Sequence, residues 1–309
     1  MTPLSCPPLL LLQSSAPIIS NEQCATLIEY FDHINAEGDT TLDATQTDNA
    51  KSILGDVHDI IDKVTNCPRH DGEAKLPRYV RYHPRLIDEE ALFDSKKLKN
   101  DVLLPDGCHV DTNNGKLFRH ITAILYLTDN TPDDCSFGGG TTFPLAKPWI
   151  GGDAAADTSI SLEQVTLHNA ATRLLERNVQ HTKGDTDQSA NSDGRRLEMA
   201  GVDAFNRDHA TNDAPLNNVG LGVRVMPQAG RLIFFHNIND DGMSDATSFH
   251  GGEELISIVT DQQSDIVAER TKNILVFFKE ISIKSFSNLD GFTDCAADAR
   301  RWTKQAYYQ

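Results

Sequence analysis

Positive charge is what this chain has least of. Its 309 residues carry 28 Lys and Arg against 45 Asp and Glu, for a formal net charge of −17 and a pI near 4.9. A surface of that sign repels phosphate backbones, which disfavours a general nucleic-acid binder. No Lys or Arg precedes Lys51, so the apolar run at Pro8-Leu9-Leu10-Leu11-Leu12 lacks the basic flank of a secretory signal. With its neighbours the run reaches about half of the ~20 residues that a membrane-spanning helix needs. It reads as a buried first strand running into Ser20, and a cytoplasmic protein without a membrane partner is expected. Cysteine is sparse too: Cys6, Cys24, Cys67, Cys108, Cys135 and Cys295 form no CxxC pair and are too few for a disulfide scaffold, so buried free thiols are expected. With 20 Gly and 13 Pro, nothing suggests collagen, a Pro-rich linker array or a repeat protein. A content of 39% hydrophobic residues is enough for a sizeable core, and one enzyme-sized domain is expected.

Local patterns divide that domain. Ser20-Asn21-Glu22-Gln23 has the form of a capping box, opening a helix through Tyr30 with Cys24, Leu27, Ile28 and Phe31 on one face. Ile53, Val57, Ile60, Ile61 and Val64 recur at helical spacing and predict a second helix from Ala50 to about Val64. Beyond Leu76 the apolar runs become short: Tyr79 to Tyr82, Ile121 to Thr128, Thr141 to Phe143, Leu221 to Val225, Leu232 to Phe235, Leu255 to Val259 and Ile274 to Phe278. Short strands broken by Gly, Pro, Asn and Asp predict an antiparallel sandwich or barrel.

From Pro144 to Gly220 the strand rhythm stops. Ser161 to Val179 reads as a helix, and His181 to Asn218 is too polar to build a core of its own. The segment 145–219 is therefore expected as an insertion between strands, either a surface ornament or a lid over the site. The remaining boundaries are 1–76 for the first strand and its supporting helices, 77–144 and 220–285 for the strand core, and 286–309 for a C-terminal tail.

The chemistry begins at Cys108-His109-Val110-Asp111. On a strand, side chains alternate, so His109 and Asp111 emerge from one face and can grip one metal ion together. A third ligand candidate, His250, stands in Ser248-Phe249-His250-Gly251-Gly252 after the Leu232 to Phe235 strand. Two His and one carboxylate on one side of an iron leave three positions open, enough for a bidentate 2-oxo acid and dioxygen.

These pieces, in this order, resemble the prolyl 4-hydroxylase-like branch of the Fe(II)- and 2-oxoglutarate-dependent oxygenases. The order runs from Ser20-Asn21-Glu22-Gln23-Cys24 through Arg81-Tyr82-His83-Pro84, His109-Val110-Asp111 and Arg119 to Thr128. It continues with Gly138-Gly139-Gly140-Thr141-Thr142-Phe143-Pro144, Pro227 to Phe235 and Ser248 to Gly252. The resemblance implies a mainly β fold with flanking helices, a double-stranded β-helix or jelly roll of cupin-like form. It also implies His109, Asp111 and His250 as the iron ligands, with Fe(II), 2-oxoglutarate and O2 as cofactors and co-substrates and ascorbate as a supporting reductant.

The distal carboxylate of 2-oxoglutarate would lie in a poorly hydrated barrel, where an anion needs a cation and hydrogen bonds. By resemblance the cation comes from the strand after the distal His, which nominates Lys272, with Arg270 of the same strand parity as its competitor. Both lie further along the chain from His250 than the resemblance leads one to expect. Tyr126 matches the tyrosine that assists this carboxylate, and Tyr82 matches a pocket-lining tyrosine. The implied reaction couples decarboxylation of 2-oxoglutarate to succinate with oxidation of a substrate C–H bond, by hydroxylation, desaturation or ring closure. Asp111 argues against halogenation, which needs a small residue at that ligand position.

For the substrate, Arg81, Arg85, Arg119, His120, Arg231 and His236 cluster around the site-forming strands of an otherwise acidic chain. They hint at a small anionic molecule, carboxylated or derived from an amino acid. Arg231 stands where the family usually carries Asp after Gly. A looser similarity is to algal kainoid synthases, which close a ring on a prenylated glutamate. The competing readings are a peptidyl-proline 4-hydroxylase acting on protein, and a non-catalytic jelly-roll binding module. Oligomeric state is not legible.

Overall fold

The computed structural model describes residues 1–7, 9–35, 44–69, 73–88, 109–111, 117–130, 136–143, 146–149, 223–240, 245–259, 271–282 and 289–308. Cys108, Arg270, the expected helix at Ser161 to Val179 and nearly all of the expected insertion lie outside them. The chain opens with three short strands, β1 (Thr2–Pro3), β2 (Ser5–Cys6) and β3 (Leu11–Gln13), followed by helices α1 (Asn21–Asn35) and α2 (Ala44–Thr65). Strands β4 (Arg78–Tyr82), β5 (Arg85–Asp88), β6 (Leu117–Tyr126), β7 (Ser136–Gly138), β8 (Thr141–Phe143) and β9 (Lys147–Pro148) come next. Then follow β10 (Val223–Val225), β11 (Leu232–His236), β12 (Gly251–Gly252), β13 (Leu255–Val259), β14 (Lys272–Ser282) and helix α3 (Leu289–Tyr307).

The α1 capping box forms as its residues dictate. Gln23 N–H donates to Ser20 Oγ at 3.2 Å, and Ser20 N–H donates to Gln23 Oε1 at 2.9 Å, so two otherwise orphaned donors are satisfied. Helix α2 begins six residues before the expected Ala50, because its first turns are polar and exposed and carry no apolar period to betray them. The expected C-terminal tail is largely α3.

One sheet runs β1-β3-β11-β6-β14-β4. Opposite it, two three-stranded pieces, β10-β8-β12 and β5-β13-β7, are parts of a second sheet. Thr142 faces Gly251 and Gly138 faces Leu255 in the same uninterrupted antiparallel register. Across the gap, Gly139 N–H donates to Glu254 O at 3.1 Å and Glu253 N–H to Gly140 O at 2.8 Å. From β4 onward the chain passes back and forth between the two sheets, placing β4, β6, β11 and β14 in one and β5, β7/β8, β10 and β12/β13 in the other, with β8 and β10 pairing within the second and β9 pairing with β2 outside both. That alternation is the winding of a double-stranded β-helix.

Strand alternation then creates two cores. Ile124, Tyr126, Ile233, Phe235, Ile274 and Val276 point between the sheets to meet Phe143, Val223 and Val225. Ala123, Leu125, Leu232, Phe234, Leu275 and Phe277 point the other way, onto Leu27, Phe31, Ile53, Val57 and Ile61 of α1 and α2. Strand β11 is buried at every position because both faces are covered. Among the described cysteines, Cys24 is buried, Cys6 and Cys67 are partly so, and all three are thiols.

Gly138 and Gly139 have φ of +84° and +74°, which turns the β7/β8 strand at its break. A Cβ on Gly138 would stand 2.0 Å from the Glu254 carbonyl oxygen, whereas one on Gly139 would meet the Asn130 side chain. Because backbone cannot swing aside, Gly138→Ala is expected to cost at least ~1–3 kcal/mol, and more than Gly139→Ala. Equal denaturation midpoints for the two variants would contradict this.

Candidate metal centre

His109 and His250 come from segments far apart in sequence, joined as an antiparallel bridge. His109 N–H donates to His250 O at 2.8 Å and His250 N–H to His109 O at 2.9 Å. This pairing brings the two imidazole rings to a centroid distance of 4.8 Å. Asp111, two residues on, projects from the same side as His109, and its Oδ1 lies 3.4 Å from His109 Nε2 while Oδ2 lies 3.6 Å from His250 Nε2. All three donor atoms lie within 4.8 Å of one another.

Each buried ligand is oriented from behind. Thr122 Oγ1 donates to Asp111 Oδ2 at 2.7 Å, and Asn237 Nδ2 donates to Thr122 Oγ1 at 2.9 Å. His250 Nδ1 lies 2.8 Å from Ser248 O; a carbonyl only accepts, so Nδ1 carries the proton and Nε2 keeps the lone pair that a metal needs. Phe143 stacks on the His250 ring and Phe235 meets it edge-on. Burial pushes the Asp111 carboxyl up, but His109, His250 and the Thr122 hydroxyl outweigh it and hold the group well below the usual carboxylate range. Burial lowers His250, against the pull of Asp111, so its ring is neutral and ready to ligate. His109 is half-exposed and is the side of the triad open to solvent. Two imidazoles and one ionised carboxylate on one side of a shared point fit a divalent iron with open positions.

A second feature lies deeper. Lys272 on β14 pairs with Tyr82 on β4, and Ile274 pairs with Tyr126 on β6, so alternation carries Lys272, Tyr82 and Tyr126 to the interior face. Lys272 is 1% exposed; its Nζ donates to Gly140 O at 3.3 Å and stands 4.8 Å from the Tyr82 ring centroid. Desolvation pulls its pKa down to about 8, opposed by the Glu253 carboxylate. Tyr126 donates to Thr141 Oγ1 at 2.9 Å, and burial holds its phenol above the ordinary range. Glu253 accepts from Arg224 Nη2 at 2.7 Å and from Gly140 N–H at 3.0 Å, and burial raises its pKa.

The cationic side chains read as substrate contacts are engaged within the protein. Arg81 faces α1, where it pairs with Asp32, and donates to Asn273 Oδ1 at 2.9 Å. A β-bulge inserts His120 between the pairs Lys279↔Ile121 and Glu280↔Arg119, and its Nε2 sits 3.4 Å from Cys67 Sγ. Arg231 donates to Ser14 O at 3.3 Å, His236 Nε2 lies 2.9 Å from Thr303 Oγ1, and Arg85 pairs with Glu254 at 2.8 Å. Arg119 pairs with Glu280 at 3.0 Å and lies 3.9 Å over the Phe278 ring, which borders the interior core. Sequence reasoning missed Thr122, Asn237, Arg224 and Glu253. The signal for Thr122 was present, since it shares strand parity with Tyr126.

No protein-family model matches the chain, and no curated protein matches it. Among solved structures, the viral collagen prolyl hydroxylase from Paramecium bursaria Chlorella virus-1, in complex with 2OG, is similar at 11% identity and a TM-score of 0.36. That match covers 87% of this chain and 94% of that one. A truncated form of the same enzyme is similar at 12% identity and a TM-score of 0.39, over 87% of each chain. The functional reading therefore rests on the residues of this chain.

His109→Ala, Asp111→Ala and His250→Ala are each expected to abolish stoichiometric Fe(II) binding, because a three-ligand site has no spare protein donor. Thr122→Val, which keeps the shape and removes the bond to Asp111, is expected to weaken binding by ~10–100-fold. Anaerobic titration of the metal-free protein checks both; tight binding by any alanine variant would dismiss the triad.

Proposed function

We propose that the chain is an Fe(II)- and 2-oxoglutarate-dependent dioxygenase that oxidises a C–H bond of a small carboxylated or amino-acid-derived substrate, by hydroxylation or oxidative cyclisation. The observation that carries this reading is the pairing, inside one barrel, of a two-His, one-carboxylate triad with a dry lysine. His109, Asp111 and His250 would hold the iron, whose chemistry with 2-oxoglutarate and dioxygen is oxidation of an unactivated C–H bond. Lys272 would pair with the distal carboxylate of 2-oxoglutarate, with Tyr82 and Tyr126 lining the same pocket. A lysine withdrawn from water without a fully bonded partner is costly to maintain, which supports a bound anion as its partner in the working protein. The two-sided burial of β11 and β14 helps to exclude water from the barrel floor. Of the cationic set, Arg119 is the residue proposed for substrate carboxylate recognition, because Phe278 beneath it borders the interior core.

Anaerobic addition of Fe(II) and 2-oxoglutarate is expected to give a weak visible charge-transfer band. A screen of carboxylated amino acids and proline peptides then reads succinate release together with product mass. Absence of both band and substrate-dependent succinate would leave a binding module. Product from proline peptides alone would move the substrate from small molecules to protein.

The lysine supplies a pH test. Binding of an anion requires charged Lys272, whose pKa in the empty protein lies near 8, so 2-oxoglutarate affinity should fall as pH rises through that value. In Lys272→Arg the cation stays charged, and the alkaline fall should vanish even if affinity is lower overall. Lys272→Ala should raise the 2-oxoglutarate requirement strongly while leaving iron affinity nearly intact. A wild-type affinity flat across pH 7 to about 9.5 would reject this assignment of the anion partner.

A further inference from the structure

Between β11 and β12, the described stretches 237–240 and 245–248 support two of the triad residues at once. At one end, Asn237 holds the Thr122 hydroxyl that donates to Asp111. At the other, Ser248 offers the carbonyl that fixes His250 Nδ1, while its Oγ donates to Asp245 O at 2.7 Å. Asp245 N–H then donates to Asn237 O at 2.9 Å and ties the two ends together. A carboxylate on one segment and an imidazole on another are thus oriented by two stretches, 237–240 and 245–248, that one backbone hydrogen bond ties together.

Both stretches are held from α3. Arg300 is 1% exposed; its Nη1 donates to Ile238 O, and its Nε donates to Asp240 Oδ1 at 2.9 Å. The same Nη1 lies 3.9 Å from Asp245 Oδ2, an atom with no hydrogen-bond partner among the described residues. Lys304, one turn further along α3, also pairs with Asp240. Helix α3 has other means of docking, such as Tyr307, whose hydroxyl donates to Val64 O at 3.1 Å, and Ala299 in the outer core. A buried guanidinium is costly for mere docking, but its planar fork fixes direction as well as distance.

We infer that Arg300 is a positioning residue of the metal centre: by clamping Ile238, Asp240 and Asp245 it keeps Asn237 and Ser248 where they orient Asp111 and His250. The inference rests on the reading of the triad as a metal site. It makes α3 a working part of that centre through Arg300, which acts on the ligands through other residues.

The test uses metal-free full-length protein titrated anaerobically with Co(II), well below the unfolding midpoint, reading the dissociation constant and the visible ligand-field bands. Arg300→Met is expected to weaken Co(II) binding ~10-fold or more and to shift or broaden the bands, as loss of an outer ligand support does. Asp240→Asn, which loosens the clamp at an exposed position and leaves no cavity, should move both readouts in the same direction by less. It carries the test alone if Arg300→Met does not fold. Tyr307→Phe, which weakens α3 docking away from the two stretches, should leave both readouts at wild type. Wild-type binding in the first two variants, or an equal loss in Tyr307→Phe, overturns the inference. Wild-type protein that takes up no Co(II) overturns the metal reading itself, and the inference with it.

Discussion

Two backbone hydrogen bonds between His109 and His250 are the constraint on which the rest of the site depends. They join a segment that follows the first sheet strands to one that follows β11, and they do so at the edge of the long β7/β8 to β12/β13 ladder. Backbone pairing fixes the separation of the paired Cα atoms, which side-chain contacts between loops do not. Once that pair forms, Asp111 has little choice of position, and Thr122, Asn237 and Ser248 need only set rotation about the remaining side-chain bonds.

The interior lysine follows a different logic. Its place is dictated by alternation along β14, where Lys272, Ile274 and Val276 share one face, and by its pairing with Tyr82. Its cost is offset only in part by Gly140 and Glu253, which leaves positive potential stored in an apolar barrel. Gly140 permits this arrangement, since a Cβ there would stand 2.8 Å from Glu253 Oε2.

Much of this was legible in the sequence, for identifiable reasons. The α1 capping box, the β8 and β13 strands and the His109–Asp111 spacing are local or strictly periodic, so residues close in sequence carried the information. An antiparallel sandwich or barrel was legible in the short apolar runs, and the double-stranded β-helix in the family resemblance. What escaped depends on chain segments meeting at a distance. The bulge at His120 sends an expected interior side chain toward Cys67, and the Asp32 carboxylate draws Arg81 to α1. Helix α3 was hidden in an apparent tail because its amphipathic face carries Ala299, Arg300 and Thr303 as buried residues, two of them polar. A buried arginine looks like a surface arginine until its partners are known.

The order of the first sheet also bears on how the molecule is made. Strand β3, near the start, finds its neighbour in β11, and β6 is flanked by β11 and β14, both of which emerge later from the ribosome. At ~5–20 residues per second, the N-terminal Leu9 to Leu12 run waits on the order of ten seconds or more for the strand that covers it. Strand β3 already has β1 on its other side, so it is the edge facing β11 that stays open longest. Non-local pairing of this kind makes for slow folding and for a nascent chain in which that edge of β3 needs protection until β11 arrives.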